Sequence, residues 1–160
     1  MKPITNQPWV VLMLCLVFTA SLAQHTPFKG ANTIILSTHL ADKEAYQTII
    51  QVLAAHDILL SVDNDVLGIR SSTNSSLAKQ GLVFDGHLSV HTGIVKLWGR
   101  VLDSAYIGSS GTDGKMIAIS YAKDRNSWER IGFIYMDELA RKLQSALQGP
   151  LMYKYQKENM

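Results

Sequence analysis

Residues 80–102, QGLVFDGHLSVHTGIVKLWGRVL, alternate apolar and polar side chains on either side of the pair Thr92-Gly93. A period of two on both flanks of a short polar tip predicts a β-hairpin turning at those two residues. A two-residue tip sets the register: His91 faces Ile94, Val90 faces Val95, Ser89 faces Lys96, Leu88 faces Leu97 and His87 faces Trp98. Leu88, Val90, Val95 and Leu97 then form one apolar face, to be buried under helices. His87, Ser89, His91, Lys96, Trp98 and Arg100 share the opposite face. The hairpin therefore calls for a sheet covered on one side.

The other segments supply the cover. ANTIILS (31–37) is a β-branched run that predicts a strand ending near Ser37. In ADKEAYQTIIQVLAAH (41–56), Ala45, Ile49, Val52 and Leu53 fall at helical spacing, with Tyr46 and Ile50 broadening the stripe. Asp42 and Glu44 lie in the first turn, at the positive end of that helix's dipole. ILLSV (58–62) and VLGIRSS (66–72) read as strands joined through Asp63-Asn64-Asp65, and 73–81 reads as a loop. The Gly/Ser-rich stretch 103–115 is too long for a tight turn, and MIAISYA (116–122) predicts the last strand. A second helix is expected from Asn126 to about Gln148. Asn126 and Glu129 have capping-box spacing, and Phe133, Met136, Leu139, Ala140, Leu143, Ala146 and Leu147 make one stripe. Arg130, Asp137, Glu138, Arg141 and Lys142 are expected to face away from it, and Gly149-Pro150 to end it.

The order strand, helix, about five strands, helix predicts an α+β fold. It is one antiparallel sheet of five to six strands with two helices on one face, a helix-grip sandwich. A single domain over 31–148 is expected, after a signal peptide (1–23) and a flexible lead-in (24–30). Residues 149–160 form a C-terminal tail, either disordered or laying Leu151 and Tyr153 on the body.

Residues 31–72 resemble a group of small exported proteins, common in Bacteroidota, whose fold is like that of the TATA-binding protein. Lys43-Glu44-Ala45-Tyr46 stands at the family's helix start, and Asp65-Val66-Leu67-Gly68-Ile69 stands at its next motif, with an Asp-to-Gly spacing one residue shorter than the family pattern. MDELARKLQSAL (136–147) is similar to the family's last helix. The resemblance implies fold and export and carries no catalytic motif. Ala41 departs from it, standing where the pattern often has a Ser N-cap worth about 1 kcal/mol. A shape shared with the TATA-binding protein does not imply DNA binding.

The N-terminus has the layout of an export signal. Lys2 precedes the apolar run 9–23, and Ser21 and Ala23 place small residues before a cut at Gln24. An uncleaved anchor and lipid attachment at Cys15 are the alternatives; Leu14, where a small residue belongs, weighs against lipidation. Cleavage leaves 137 residues, enough for one domain with a core. The net charge of +2 falls to +1 with the loss of Lys2, the one charge in that segment. Near neutrality argues against a nucleic-acid partner. The only cysteine leaves too, so the mature chain has no disulfide, thiol nucleophile or thiolate ligand.

His87 and His91 have the spacing of a helical zinc site, where two imidazoles would sit about 6 Å apart. On a strand, four residues span roughly 13 Å, too far for one ion with bonds near ~2.1 Å. No metal site is expected. Asp63 and Asp65 lack the long, Glu-terminated loop of a calcium site. No Gly-x-Ser-x-Gly elbow surrounds a serine. GSSGTDG (108–114) lacks the Lys-Ser/Thr ending of a phosphate loop. His39 and His56 flank the first helix and read as surface or cap residues. Asn74-Ser75-Ser76 is a glycosylation sequon only in a eukaryotic secretory host.

What remains is the open face. His87, Lys96, Trp98 and Arg100 form a mixed aromatic and basic surface, the candidate interaction face for an envelope protein, peptide or glycan. The expectation is an exported, periplasmic or secreted binding or assembly module without cofactor, catalysis or stable membrane insertion. One alternative is a small hydrolase or glycan-active enzyme joining His87 or His39 to Asp85 or Asp103. Another is a secreted structural domain that oligomerises through its edge strands.

Overall fold

A computed structural model describes residues 26–63, 65–106 and 116–157. Its central element is the hairpin of β4 (Leu82–His91) and β5 (Ile94–Asp103). Every pairing expected around Thr92-Gly93 is formed, and the ladder runs on to Leu82↔Asp103. The tip holds Thr92 at φ 50° and Gly93 at φ 72°, the left-handed pair that a two-residue hairpin turn requires.

The remaining elements are β1 (Thr33–Ser37), α1 (Asp42–Ala54), β2 (Leu59–Asp63), β3 (Val66–Arg70), β6 (Met116–Ala118), α2 (Trp128–Leu147) and β7 (Leu151–Lys154). The fold is α+β: one antiparallel sheet of seven strands among the described residues, with both helices packed against it. The strand order is β2-β3-β4-β5-β1-β7. β5 is long enough to hold two partners along one edge. Its first half pairs with β1 up to Thr33↔Trp98, and its second half pairs with β6 from Arg100↔Ala118.

The helix-covered face carries Ile34, Leu36, Leu67, Ile69, Phe84, Leu88, Leu97 and Val101, all buried. Ala45, Ile49 and Leu53 of α1, with Phe133, Met136, Ala140 and Leu143 of α2, close over them. Each fully buried Leu, Ile or Phe contributes about 1.5–3 kcal/mol. The pair Gly86↔Gly99 lies on this face, and the Phe84 ring occupies the space their side chains would take: a Cβ on Gly86 would meet it at 2.3 Å. That ring then packs against Tyr135 of α2, tilted by 50° with centroids 5.4 Å apart.

Several expectations need correction. The sheet has seven strands, not five or six, because residues 151–154 pair with β1 as β7. Leu151 and Tyr153 are buried there, which is the second of the two alternatives for the tail. The strand expected over 116–122 ends at Ala118. Beyond it the chain peels away, and Tyr121 N–H donates to Ala31 O at 2.8 Å in order to reach α2.

The cap of α2 lies one residue later than the capping-box spacing suggests. Ser127, not Asn126, accepts the Arg130 N–H, while Asn126 N–H is taken by the Asp124 carboxylate at 2.9 Å. At the other end Gln148, not Gly149, adopts the left-handed conformation. Gly149 is required for a different reason, its closeness to Ser37. Asp137 does not simply face solvent either, since the Tyr153 hydroxyl donates to it at 2.6 Å. The loop expected over 103–115 includes a 3-10 turn at Ser104–Tyr106, and the rest of it, with the signal segment, lies outside the described residues.

Candidate functional site: the open sheet face

The face away from the helices is built in rows by the strand register. One row runs Arg70–Asp85–Arg100–Ala118, the next Gly68–His87–Trp98–Thr33–Lys154, and a third Val66–Ser89–Lys96–Ile35–Met152. His87, Lys96, Trp98 and Arg100 therefore stand on one surface, as alternation along β4 and β5 requires.

Their contacts divide them into two groups. The His87 and Trp98 rings lie 5.6 Å apart at 34°, and Lys96 Nζ stands 4.6 Å from the Trp98 ring centre. A cation over a half-buried indole is worth about 0.5–1 kcal/mol or more, enough to orient both side chains. Arg100 turns the other way, its Nε donating to Asp85 Oδ2 at 3.0 Å. Arg70 approaches the other oxygen of Asp85 at 3.6 Å. Asp85 thus spaces two guanidiniums across the face. Such exposed pairs add little stability, so their effect is chiefly positional.

Beside Trp98 the sheet opens into a cavity of about 550 Å³. It lies where β5 changes partner, with β1 ending on one side and β6 beginning on the other. Trp98 and Arg100 line it together with Asn32, Thr33, Met116 and Lys157. Asn32 fastens the rim: its side chain donates to Gln156 O and accepts from Gln156 N–H, both at 2.7 Å. The face is not uniformly wet, since Thr33, Ile35 and Val83 are buried on it.

Parity along the hairpin could place four residues of this surface, but not Asn32, Met116, Gln156 or Lys157. Those arrive through pairings between distant segments, for which no local signal exists. The partial signal was the apolar alternation of LMYK, which hints at a strand without naming its neighbour.

Other residues considered for chemistry lie apart from one another. His91 shares a strand face with His87, separated by Ser89 and opposite Ile94. Asp103 accepts the Ala105 N–H at 2.9 Å, and His39 and His56 are exposed at the ends of α1. Among the described residues no three His, Cys, Asp or Glu side chains gather as a metal site, and no helix is long and apolar enough to cross a membrane. Compared with protein-family models, curated proteins and solved structures, the chain matches none.

Proposed function

We propose that this chain is an exported, non-catalytic binding or assembly module of the cell envelope that captures a peptide or glycan on its open sheet face. The observation that carries this reading is the opening of Trp98 and Arg100 onto a single cavity of about 550 Å³. An indole offers a flat platform to a sugar ring or an apolar side chain, and a guanidinium held in place by Asp85 offers directed donors. Export rests on the N-terminal sequence alone, where Lys2 precedes the apolar run 9–23 and small residues stand at 21 and 23.

The hydrolase alternative is less well supported. It needs a histidine joined to a carboxylate, whereas Asp85 is shared by two arginines and His87 stands against Trp98. The oligomer alternative has one specific observation in its favour. β2 is an edge strand on which Leu59 and Val62 are 61% and 73% exposed.

The test is affinity capture from native envelope with the parent and the Trp98→Ala/Arg100→Ala variant. Capture of a defined peptide- or glycan-bearing component should drop about tenfold or more, the loss of roughly 1.4 kcal/mol or greater. The variant's circular dichroism should match the parent's. Equal capture by both proteins would reject the reading; should the double variant unfold, Arg100→Gln alone, at an exposed side chain, carries the same comparison.

A further inference from the structure

A second concavity, of about 290 Å³, lies away from the open face, beside the start of α2. Four of the six residues lining it are cations: Lys29, Lys123, Arg125 and Arg130, around Tyr121 and Ala122. Among the described residues no carboxylate lines it, and none of the four cations is in an ion pair. The nearby acids are otherwise placed. The Asp124 carboxylate accepts the Asn126 N–H, and Glu129 lies in the first turn of α2 without lining the cavity. In a chain of net charge +2, such a gathering is a local excess rather than a general one.

Arg130 is already fixed in place. Its guanidinium carbon stands 3.3 Å from the Tyr121 ring centre, and Nη1 donates to Ala122 O at 3.0 Å. Among the described residues its buried Nε has no hydrogen-bond partner. Arg130 is also the third residue of α2, where the helix dipole disfavours a cation. Mutual repulsion, an unfavourable dipole and an unpaired donor all raise the free energy of the empty site, and a multiply charged anion relieves the first two directly. Guanidinium forks match tetrahedral oxyanions, and four positive charges favour a dianion or trianion over a single carboxylate.

We propose that this cavity binds a phosphate-class oxyanion, supplied either as a small phosphorylated solute or as the headgroup of an anionic lipid. The lipid source has its own motive. Phe28, 41% exposed, adjoins Lys29 on the cavity's edge and sets an apolar side chain beside the cationic site. The site is independent of the open face and of what that face captures.

The test uses the protein as its cells process it, with pyrophosphate as the probe at low ionic strength in titration calorimetry. The parent should bind, and added NaCl should weaken binding. The variant Lys123→Gln/Arg125→Gln alters only exposed loop side chains and should lose about tenfold or more in affinity. Arg130→Gln should lose at least as much. In parallel, flotation with phosphatidylglycerol and with phosphatidylcholine vesicles identifies the source. An excess on phosphatidylglycerol that the double variant lacks assigns a lipid headgroup; pyrophosphate binding without that excess assigns a solute. If parent and double variant behave alike toward both probes, the proposal is overturned.

Discussion

The Asp42 carboxylate, in the first turn of α1, accepts the backbone N–H of Gly93 at 2.8 Å, and its other oxygen accepts that of Thr92 at 2.9 Å. Position in the helix's first turn accounts for an acid at residue 42, but the carboxylate's partners are the hairpin tip. These two backbone donors outweigh the opposing cost of desolvation and, with a smaller contribution from His91, hold its pKa below the ordinary 3.8. A depressed folded-state value means that the contribution is present above the unfolded pKa and fades as pH falls through the folded one. Asp42→Ala should therefore lower the urea midpoint at pH 7, and the gap between variant and parent should narrow below about pH 3.8. A gap of constant size across the acid range would show that the carboxylate's charge is immaterial.

Gly149 meets Ser37 without room for any side chain. A Cβ at 149 would lie 1.4 Å from the Ser37 carbonyl oxygen, on the backbone that carries β1 toward α1. The same crossing joins three elements: Ser37 N–H donates to Pro150 O, Thr38 N–H to Gly93 O, and the Thr38 hydroxyl to Leu147 O. Backbone cannot yield as a flexible side chain does. Gly149→Ala should cost about 4 kcal/mol or more, seen as a large drop in thermal midpoint or failure to accumulate. A variant within about 1 kcal/mol of the parent would mean the 37–38 crossing is far more pliable than its hydrogen bonds suggest.

The Tyr153 hydroxyl donates to Asp137 Oδ1 at 2.6 Å and lies 3.3 Å from Arg141 Nη2, tying β7 to α2. Burial, and then the Asp137 bond, push its pKa well above the usual phenol value. A raised folded-state pKa contributes stability below the unfolded value that is lost as pH rises through the folded one. Tyr153→Phe should cost about 1–3 kcal/mol at pH 7. It should also speed hydrogen exchange at the β7 amides and flatten the loss of stability above about pH 10. Unchanged exchange in β7 would separate the hydroxyl from the strand's docking.

The elements that were legible in the sequence are those whose pattern is strong within one segment. The β4–β5 register follows from strict alternation around Thr92-Gly93, and both helices follow from stripes of apolar residues three and four apart. β7 was not legible, because LMYK has two inward positions and pairs with a strand at the other end of the chain. The α2 cap slipped by one because Asn126 and Ser127 are adjacent and both can cap; the helix starts at Trp128, so Ser127 takes the role, while Asp124 turns the chain by accepting the Asn126 N–H. Alternation likewise located Trp98 and Arg100, but the cavity beside them arises from the change of β5's partner at Gly99, which only tertiary pairing creates.

The outer edge of β2 offers a last measurement. β7 ends its sheet with Pro150 before it and Lys154 at its close, features that discourage further pairing. β2, LLSVD, has neither Pro nor Lys, and Leu59 and Val62 stand 61% and 73% exposed. An antiparallel copy centred on Ser61 would place Leu60 opposite the second chain's Val62 on the helix side, a self-complementary apolar match. Sedimentation should show the parent's mass rising with concentration, and Val62→Lys should hold it at the monomer. A parent that stays monomeric at high concentration would remove the oligomer reading.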